Sequence, residues 1–214
     1  MERLICIAIG YVFGLFQTSY IYGKLRGIDI RQHGSGNAGT TNMLRTLGTG
    51  AGAVTFIGDS LKCVVAVAVM KLIFGRSCSE ILPLLSIYTA AGVILGHNFP
   101  FYLGFRGGKG IAASAGLALS LNWIITLAGA VTFFAVFLAT HYVSLGSLTI
   151  YVGFVIELIV LGQYGVFGMT QNALYEMYAV AFFLMLLAFL MHRTNIQRLL
   201  RGEERKTYLF KKKK

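Results

Sequence analysis

Charge is what this sequence has least of. Charged residues make up 13% of the 214-residue chain, against 56% hydrophobic. That charged share is about half the usual globular one, which excludes an ordinary soluble domain. Cysteine is scarce as well. Cys6, Cys63 and Cys78 are odd in number and far apart, which excludes a disulfide framework and a cysteine metal set; Cys6 and Cys63 are expected to pack as small apolar side chains. No H-x-x-x-H or C-x-x-C spacing occurs, so no metal ligands are predicted. The first apolar run is long for a signal-peptide core and no A-x-A-like cleavage site follows it, so it is expected to remain as a helix.

What fills the chain instead is long apolar runs, at residues 4–22, 53–74, 82–96, 111–140, 145–162 and 174–191. A bilayer crossing takes roughly 20 helical residues, and the fold class expected is an all-α integral membrane protein. The formal charge of +11 does not argue for nucleic acid, because nine of the 19 basic residues lie in the tail 193–214. A basic tail after an apolar helix marks the cytoplasmic side and anionic lipid. Lys211–Lys214 alone carry no argument.

Lysine and arginine also set the orientation. The loop 23–52 holds Lys24, Arg26, Arg31 and Arg45, and the loop 97–110 holds Arg106 and Lys109, whereas Arg3 and Arg76 stand alone in their segments. The run 111–140 decides the number of crossings. A single crossing would put the basic tail outside; two crossings, turning near Asn122 and Trp123, bring it inside with two short or tilted legs. The expectation is about seven transmembrane helices, some short, in one domain over 1–214, with the N-terminus out and the tail 192–214 in. Nearly every unusual polar residue then falls on the cytoplasmic face.

Two loops on that face mix glycine with cations. Gly34-Ser35-Gly36-Asn37-Ala38-Gly39 satisfies G-x-G-x-x-G, but its flanks are membrane segments and not a βαβ unit, which excludes a dinucleotide fold. The physics of the motif still applies: glycine lets backbone N–H groups converge on an anion, and a following helix adds its positive end. A short helix is expected over 40–47, stopped by Gly48, with Arg45 one turn in and able to reach back to the anion as a fork. Arg106-Gly107-Gly108-Lys109-Gly110 repeats the arrangement before an apolar run. It is no Walker loop, because Gly110 and not Ser or Thr follows Lys109.

Other polar residues join these loops. His97 is either a structural group at a helix end or a site residue that orients phosphate or moves a proton. Ser144 and Asn195 are candidate hydroxyl or phosphate binders. Asp59 and Lys62, one turn apart, read as a pair that supports the loops. Glu157 and Glu176 read as isolated, and Arg198, Arg201 and Arg205 as a solvated or lipid-facing flank. Gly10-x-x-x-Gly14 and Gly92-x-x-x-Gly96 read as helix-packing pairs. Two glycine–cation loops on one face fit two phosphate groups, or one phosphate moved between states, and the membrane setting fits a ligand with a lipid tail. A transporter of a phosphorylated solute is the alternative; it calls for an inverted repeat and polar groups along a path across the membrane.

Gly34-Ser35-Gly36-Asn37, with Gly39, Asn42 and Arg45, resembles the first motif of the bacterial acyl-phosphate:glycerol-3-phosphate acyltransferases. Gly96-His97-Asn98-Phe99-Pro100 with Phe105-Arg106-Gly107-Gly108-Lys109-Gly110 resembles their second. Ser144-Leu145-Gly146-Ser147 and the stretch from His192 to Leu200 are similar to the later motifs, and Gly202-Glu203 to the usual ending. The departures are Ala38 for a common proline, Arg106 for a frequent lysine, and Cys63 where glycine is usual.

The resemblance implies transfer of a fatty acyl group from acyl phosphate to the sn-1 hydroxyl of glycerol 3-phosphate, giving lysophosphatidate and phosphate in phospholipid biosynthesis. It also implies a bacterial cell (inner) membrane location, no cofactor, and a soluble enzyme that makes acyl phosphate as functional partner. Such a donor is already activated, so the protein has mainly to position and neutralise. On this reading Ser35, Gly36 and Asn37, with the glycines Gly107 and Gly108 beside Lys109, hold the donor phosphate. Arg45, Lys109, Ser144 and Asn195 hold glycerol 3-phosphate, and Asn42 and Arg106 complete the substrate-binding set. His97, Lys109 and Arg45 are the expected catalytic residues. The hydroxyl proton goes either to the donor's own phosphate oxygen or to His97.

Overall fold

The computed structural model describes residues 1–208, and every regular element among them is helical; the expectation for Lys211–Lys214 lies outside the described residues. Helices α1 (Glu2–Gly14) and α2 (Thr18–Leu25) share the first apolar run, and α3 (Thr40–Leu47) stands in the first polar loop. Next come α4 (Thr49–Phe74) and α5 (Leu82–Asn98), then α6 (Ile111–Leu121) and α7 (Trp123–Thr140), which divide the longest run. The remaining three are α8 (Val143–Gln163), α9 (Gln171–Met191) and α10 (Arg193–Leu200). With α1 and α2 taken together, six segments among the described residues are long and apolar enough to cross a membrane, and α6 is a shorter apolar helix beside them.

The division of the longest run falls where an amide interrupts it. Asn122 caps α7, its Oδ1 accepting from the Ile124 N–H at 2.8 Å, which satisfies one of the donors a helix start leaves open. The two legs are unequal, 11 and 18 residues. Helix α3 ends at Gly48, whose φ of 90° is a conformation that glycine adopts without strain.

The first run differs from its expectation as a single helix. It breaks after Gly14, and the carbonyls freed by the break are taken by buried side chains. Lys62 Nζ donates to Gly14 O at 3.3 Å and to Phe16 O at 2.7 Å, and Gln17 Nε2 donates to Gly14 O at 3.3 Å and across to His97 O, at the end of α5, at 2.9 Å. Asp59 Oδ1 accepts from Thr18 Oγ1 at 2.9 Å and forms an ion pair with the Lys62 ammonium at 3.0 Å. The Asp59–Lys62 pair therefore staples both sides of the break, with the cation at the negative end of α1.

Helices α1 and α5 meet backbone to backbone. A Cβ at Gly10 or Gly14 would collide with the carbonyls of Thr89 or Val93, and one at Gly92 or Gly96 with those of Ile7 or Tyr11. Each glycine pair faces the other helix, the close approach that small residues permit in lipid. The main core lies among α4, α5, α6, α8 and α9, with Leu84, Ile87, Leu117, Leu158, Met177 and Leu184 nearly inaccessible. Cys6 and Cys63 are fully buried in apolar surroundings. Trp123, Leu127, Val131, Phe134 and Leu138 are exposed along one stripe of α7, a face suited to lipid. Glu176 is not isolated: Arg3 makes a two-pronged ion pair with it, and Tyr88 donates to it at 2.8 Å.

Candidate active site

A cavity of about 880 Å³ has two chemically distinct ends. At one end stand the loop 34–42, Arg45, His97, Lys109, Ser144 and Asn195; at the other, Leu119, Ile125, Phe133 and Phe154 from α6, α7 and α8. A phosphate suits the first end and a hydrocarbon chain the second.

Asn42 builds the loop. It is buried, and its Nδ2 donates to Ile30 O at 3.1 Å and His33 O at 2.9 Å while its Oδ1 accepts from Ser35 N–H at 2.9 Å. Gly34 takes φ +61°, and a Cβ there would strike Asn42 Oδ1. This holds Ser35 and Asn37 in the cavity wall. Behind them α3 begins without a side-chain cap, and Thr40 Oγ1 is buried with no partner among the described residues. Leading N–H groups, the positive end of a helix and an unused hydroxyl thus meet at the cavity.

His97 sits between that loop and the Asp59–Lys62 pair. Lys62 Nζ lies 2.8 Å from His97 Nδ1. An ammonium donates only, so Nδ1 accepts and the ring proton resides on Nε2. Nε2 packs where a side chain on Gly108 would be, beside Ala38 O. His192 has the opposite tautomer. Its Nδ1 lies 2.8 Å from Ala188 O, a carbonyl that only accepts, so the proton is on Nδ1 and Nε2 is bare. Burial first, and Lys109 second, push His192 down to about 4, which keeps the ring neutral at physiological pH.

Lys109 donates to Asn195 Oδ1. Burial, aided by Arg198 and Arg45, pushes its ammonium down to about 8, with Glu204 opposing the shift. Glu204 is buried. Its Oε1 accepts from Asn195 Nδ2 at 2.6 Å and Ser144 Oγ at 2.9 Å, and its Oε2 from Arg198 Nε at 2.7 Å. Burial alone would raise the Glu204 carboxyl; the hydrogen bonds from Asn195, Arg198 and Ser144 outweigh it and leave it below the ordinary carboxylate range. Arg45 Nη2 donates to Arg205 O at 3.0 Å and Thr207 Oγ1 at 2.6 Å, with burial lowering its basicity.

A family model described as glycerol-3-phosphate acyltransferase matches residues 4–202. The chain belongs to the glycerol-3-phosphate acyltransferase family. A glycerol-3-phosphate acyltransferase of Clostridioides difficile is 44% identical over 206 residues, covering 95% of this chain and 94% of that one. The Thermotoga maritima protein called glycerol-3-phosphate acyltransferase 2 is 37% identical, covering 95% and 96%. Two solved structures of PlsY (YgiH), an integral membrane glycerol 3-phosphate acyltransferase, share the fold at 30% identity. The glycerol 3-phosphate form gives a TM-score of 0.81, covering 97% of this chain and 96% of its own, and the lysophosphatidic acid form gives 0.80, covering 98% and 97%.

The fold brings Ser35, Gly36, Asn37, Asn42, Arg45, His97, Lys109, Ser144 and Asn195 to one cavity wall. It does not bring Arg106, Gly107 or Gly108 there. Arg106 is exposed, and the N–H groups of Gly107 and Gly108 are spent on Asn98 O at 3.1 Å and His97 O at 3.0 Å. Those two glycines serve close packing, since a Cβ on either would strike the His97 backbone or ring. They present no N–H groups to an anion. Arg198 is likewise no detached flank: it binds Glu204 at the cavity. Sequence reasoning missed Glu204 and passed over His192, the latter despite its place in the motif that supplies Asn195.

Proposed function

We propose that this chain transfers a fatty acyl group from acyl phosphate to the sn-1 hydroxyl of glycerol 3-phosphate, releasing lysophosphatidate and inorganic phosphate. The observation that carries this reading is the two-ended cavity: a cationic, donor-rich end continuous with an apolar channel between α6, α7 and α8. The loop at Ser35 and Asn37 and the start of α3 hold the donor phosphate, and the acyl chain lies along Phe133 and Phe154. Arg45, Lys109 and Asn195 hold glycerol 3-phosphate.

The tautomers assign the two histidines different work. His97 carries its proton on Nε2 and acts as a donor to the anionic substrate, not as the base. His192 offers a bare Nε2 that accepts a hydrogen bond from the substrate hydroxyl and orients it. A ring held near 4 is a poor proton acceptor at neutral pH, whereas the donor's phosphate gains negative charge and basicity as its bond to the acyl carbon breaks. The hydroxyl proton therefore passes to the donor's phosphate oxygen as the new C–O bond forms and the carbonyl–phosphate bond breaks. Lys109 neutralises the charge that develops.

On this reading the site lies on the cytoplasmic face of a bacterial inner membrane, with the N-terminus outside, which the sidedness of the basic loops supports, within reach of a soluble enzyme that supplies acyl phosphate. The test is phosphate release by purified protein supplied with palmitoyl phosphate and glycerol 3-phosphate. Release should need both substrates, vanish in Lys109→Ala and persist in Arg201→Ala, whose side chain is exposed beyond α10. Lysophosphatidate formed with release of free CoA thiol from palmitoyl-CoA in place of palmitoyl phosphate would overturn the donor assignment.

A further inference from the structure

The segment after α10 crosses back over the cavity and is tied down on both sides of one buried carboxylate. Glu203 N–H donates to Arg198 O at 2.8 Å, and Thr207 N–H donates to His141 O at 2.9 Å. Arg45 holds the same segment through Arg205 O and Thr207 Oγ1. Between these ties the Glu204 side chain is 3% exposed, and three donors converge on it from α8 and α10.

We infer that Glu204 is a positioning residue for Lys109, acting through the amide of Asn195. The amide has two ends and the structure uses both: Nδ2 donates to Glu204 and Oδ1 accepts from Lys109. A carboxylate cannot donate, so Glu204 fixes which end of Asn195 faces it. The carbonyl end is thereby turned to Lys109, which spends one ammonium proton on Asn195 and keeps two for a ligand phosphate. The carboxylate is also the anion set among Arg45, Lys109 and Arg198, which would otherwise repel one another in a buried space. His192, neutral, completes the titratable groups around Lys109. A segment anchored at both flanks forms a fixed wall of the site, because releasing Glu204 would break the ties on either side of it as well as its own three hydrogen bonds. Ser144, its hydroxyl proton given to Glu204, belongs to this wall.

This inference rests on the proposed reaction and is tested within it. Wild-type protein is first assayed for phosphate release from palmitoyl phosphate with glycerol 3-phosphate; silence there sinks the reaction itself, before any variant is compared. Glu204→Gln is then measured against Glu203→Gln, which removes the same charge from an exposed neighbour. Glu204→Gln should raise KM for glycerol 3-phosphate about tenfold or more, as expected for losing an ordered charge-assisted hydrogen bond.

The alkaline limb supplies a readout that a merely structural role would not move. Protonated Lys109 is the working form, so activity falls as pH rises through about 8. Without Glu204 that pKa drops, and the limb should move to lower pH by about half a unit to one unit. Glu203→Gln should leave both KM and the limb in place. Glu204→Asp retains charge on a shorter arm and should raise KM while keeping the limb near its wild-type position. A lower KM in Glu204→Gln would overturn the inference, showing that the carboxylate occupies the substrate's place and competes with it. So would an unmoved limb with lost activity, which marks a structural role alone.

Discussion

Replacing Asn42 with Asp changes one NH2 group into an oxygen and almost no volume, yet it should disable the loop that carries Ser35 and Asn37. The Ser35 N–H keeps its acceptor. Ile30 O and His33 O lose their donor at 3.1 and 2.9 Å and instead face a second oxygen in a site that is 2% exposed. Two net hydrogen bonds at about 1 kcal/mol each, plus the desolvation of two stranded carbonyls, sum to roughly 3–5 kcal/mol. The loop can detach without unfolding the helical bundle, since the core beneath it is small: Ile30, Ala38, Met43 and Ala51, with Tyr22 and Ile28 packed against them. At tenfold per 1.4 kcal/mol, the ordered loop becomes scarcer by about a hundredfold or more. The assay is phosphate release with each substrate varied in turn, alongside thermal unfolding in detergent. kcat/KM should fall about 100-fold or more with little change in Tm; an Asn42→Asp protein within twofold of wild type would refute the argument.

Gly108→Ala should abolish most activity in a folded protein, because the new Cβ collides with His97 Nε2 and Ala38 O. Gly50→Ala, with open space around it, should leave activity unchanged and stability within about 0.5 kcal/mol, both read from release assays and unfolding curves. Gly10→Val drives a branched side chain into the Thr89 carbonyl and should destabilise by about 1–3 kcal/mol or more, seen as a lower Tm in detergent. His97→Gln keeps an N–H near the Nε2 position and should retain measurable turnover, whereas His97→Ala should not; equal loss in both would count against His97 as a donor.

Much of this architecture was legible because membrane insertion writes it into composition. The turn at Asn122 followed from the sidedness of basic loops and the amide interrupting an apolar run, and Gly48 marked the end of α3. What could not be read depends on closure over long separations. Gln17 and Lys62 break the first run by offering donors to its carbonyls, and Lys62 comes 46 residues after Phe16. Glu176 finds Arg3 across 173 residues. Glu204 is one acid in a polar tail, and nothing local distinguishes it from Glu203, which is exposed. The glycines beside Lys109 misled for a related reason. Glycine marks close approach of a backbone to something, and at Gly107 and Gly108 that something is His97 and not a ligand.

Helices α6 and α7 share the turn at Asn122 but differ in length, 11 against 18 residues. At 1.5 Å per residue they rise about 16 and 27 Å, in a hydrocarbon layer of about 30 Å. Unless α7 leans steeply, Lys109 ends about 10 Å deeper than Thr140. On the proposed reaction, the chemistry then takes place beneath the lipid surface, at a junction of two modes of supply. A tailed reactant arrives and leaves by sliding sideways in two dimensions, its chain never lifted into water. The small soluble reactant must descend from three-dimensional solution towards a cluster of cations, so its capture should slow as salt screens that pull. Salt would therefore throttle one supply line and spare the other.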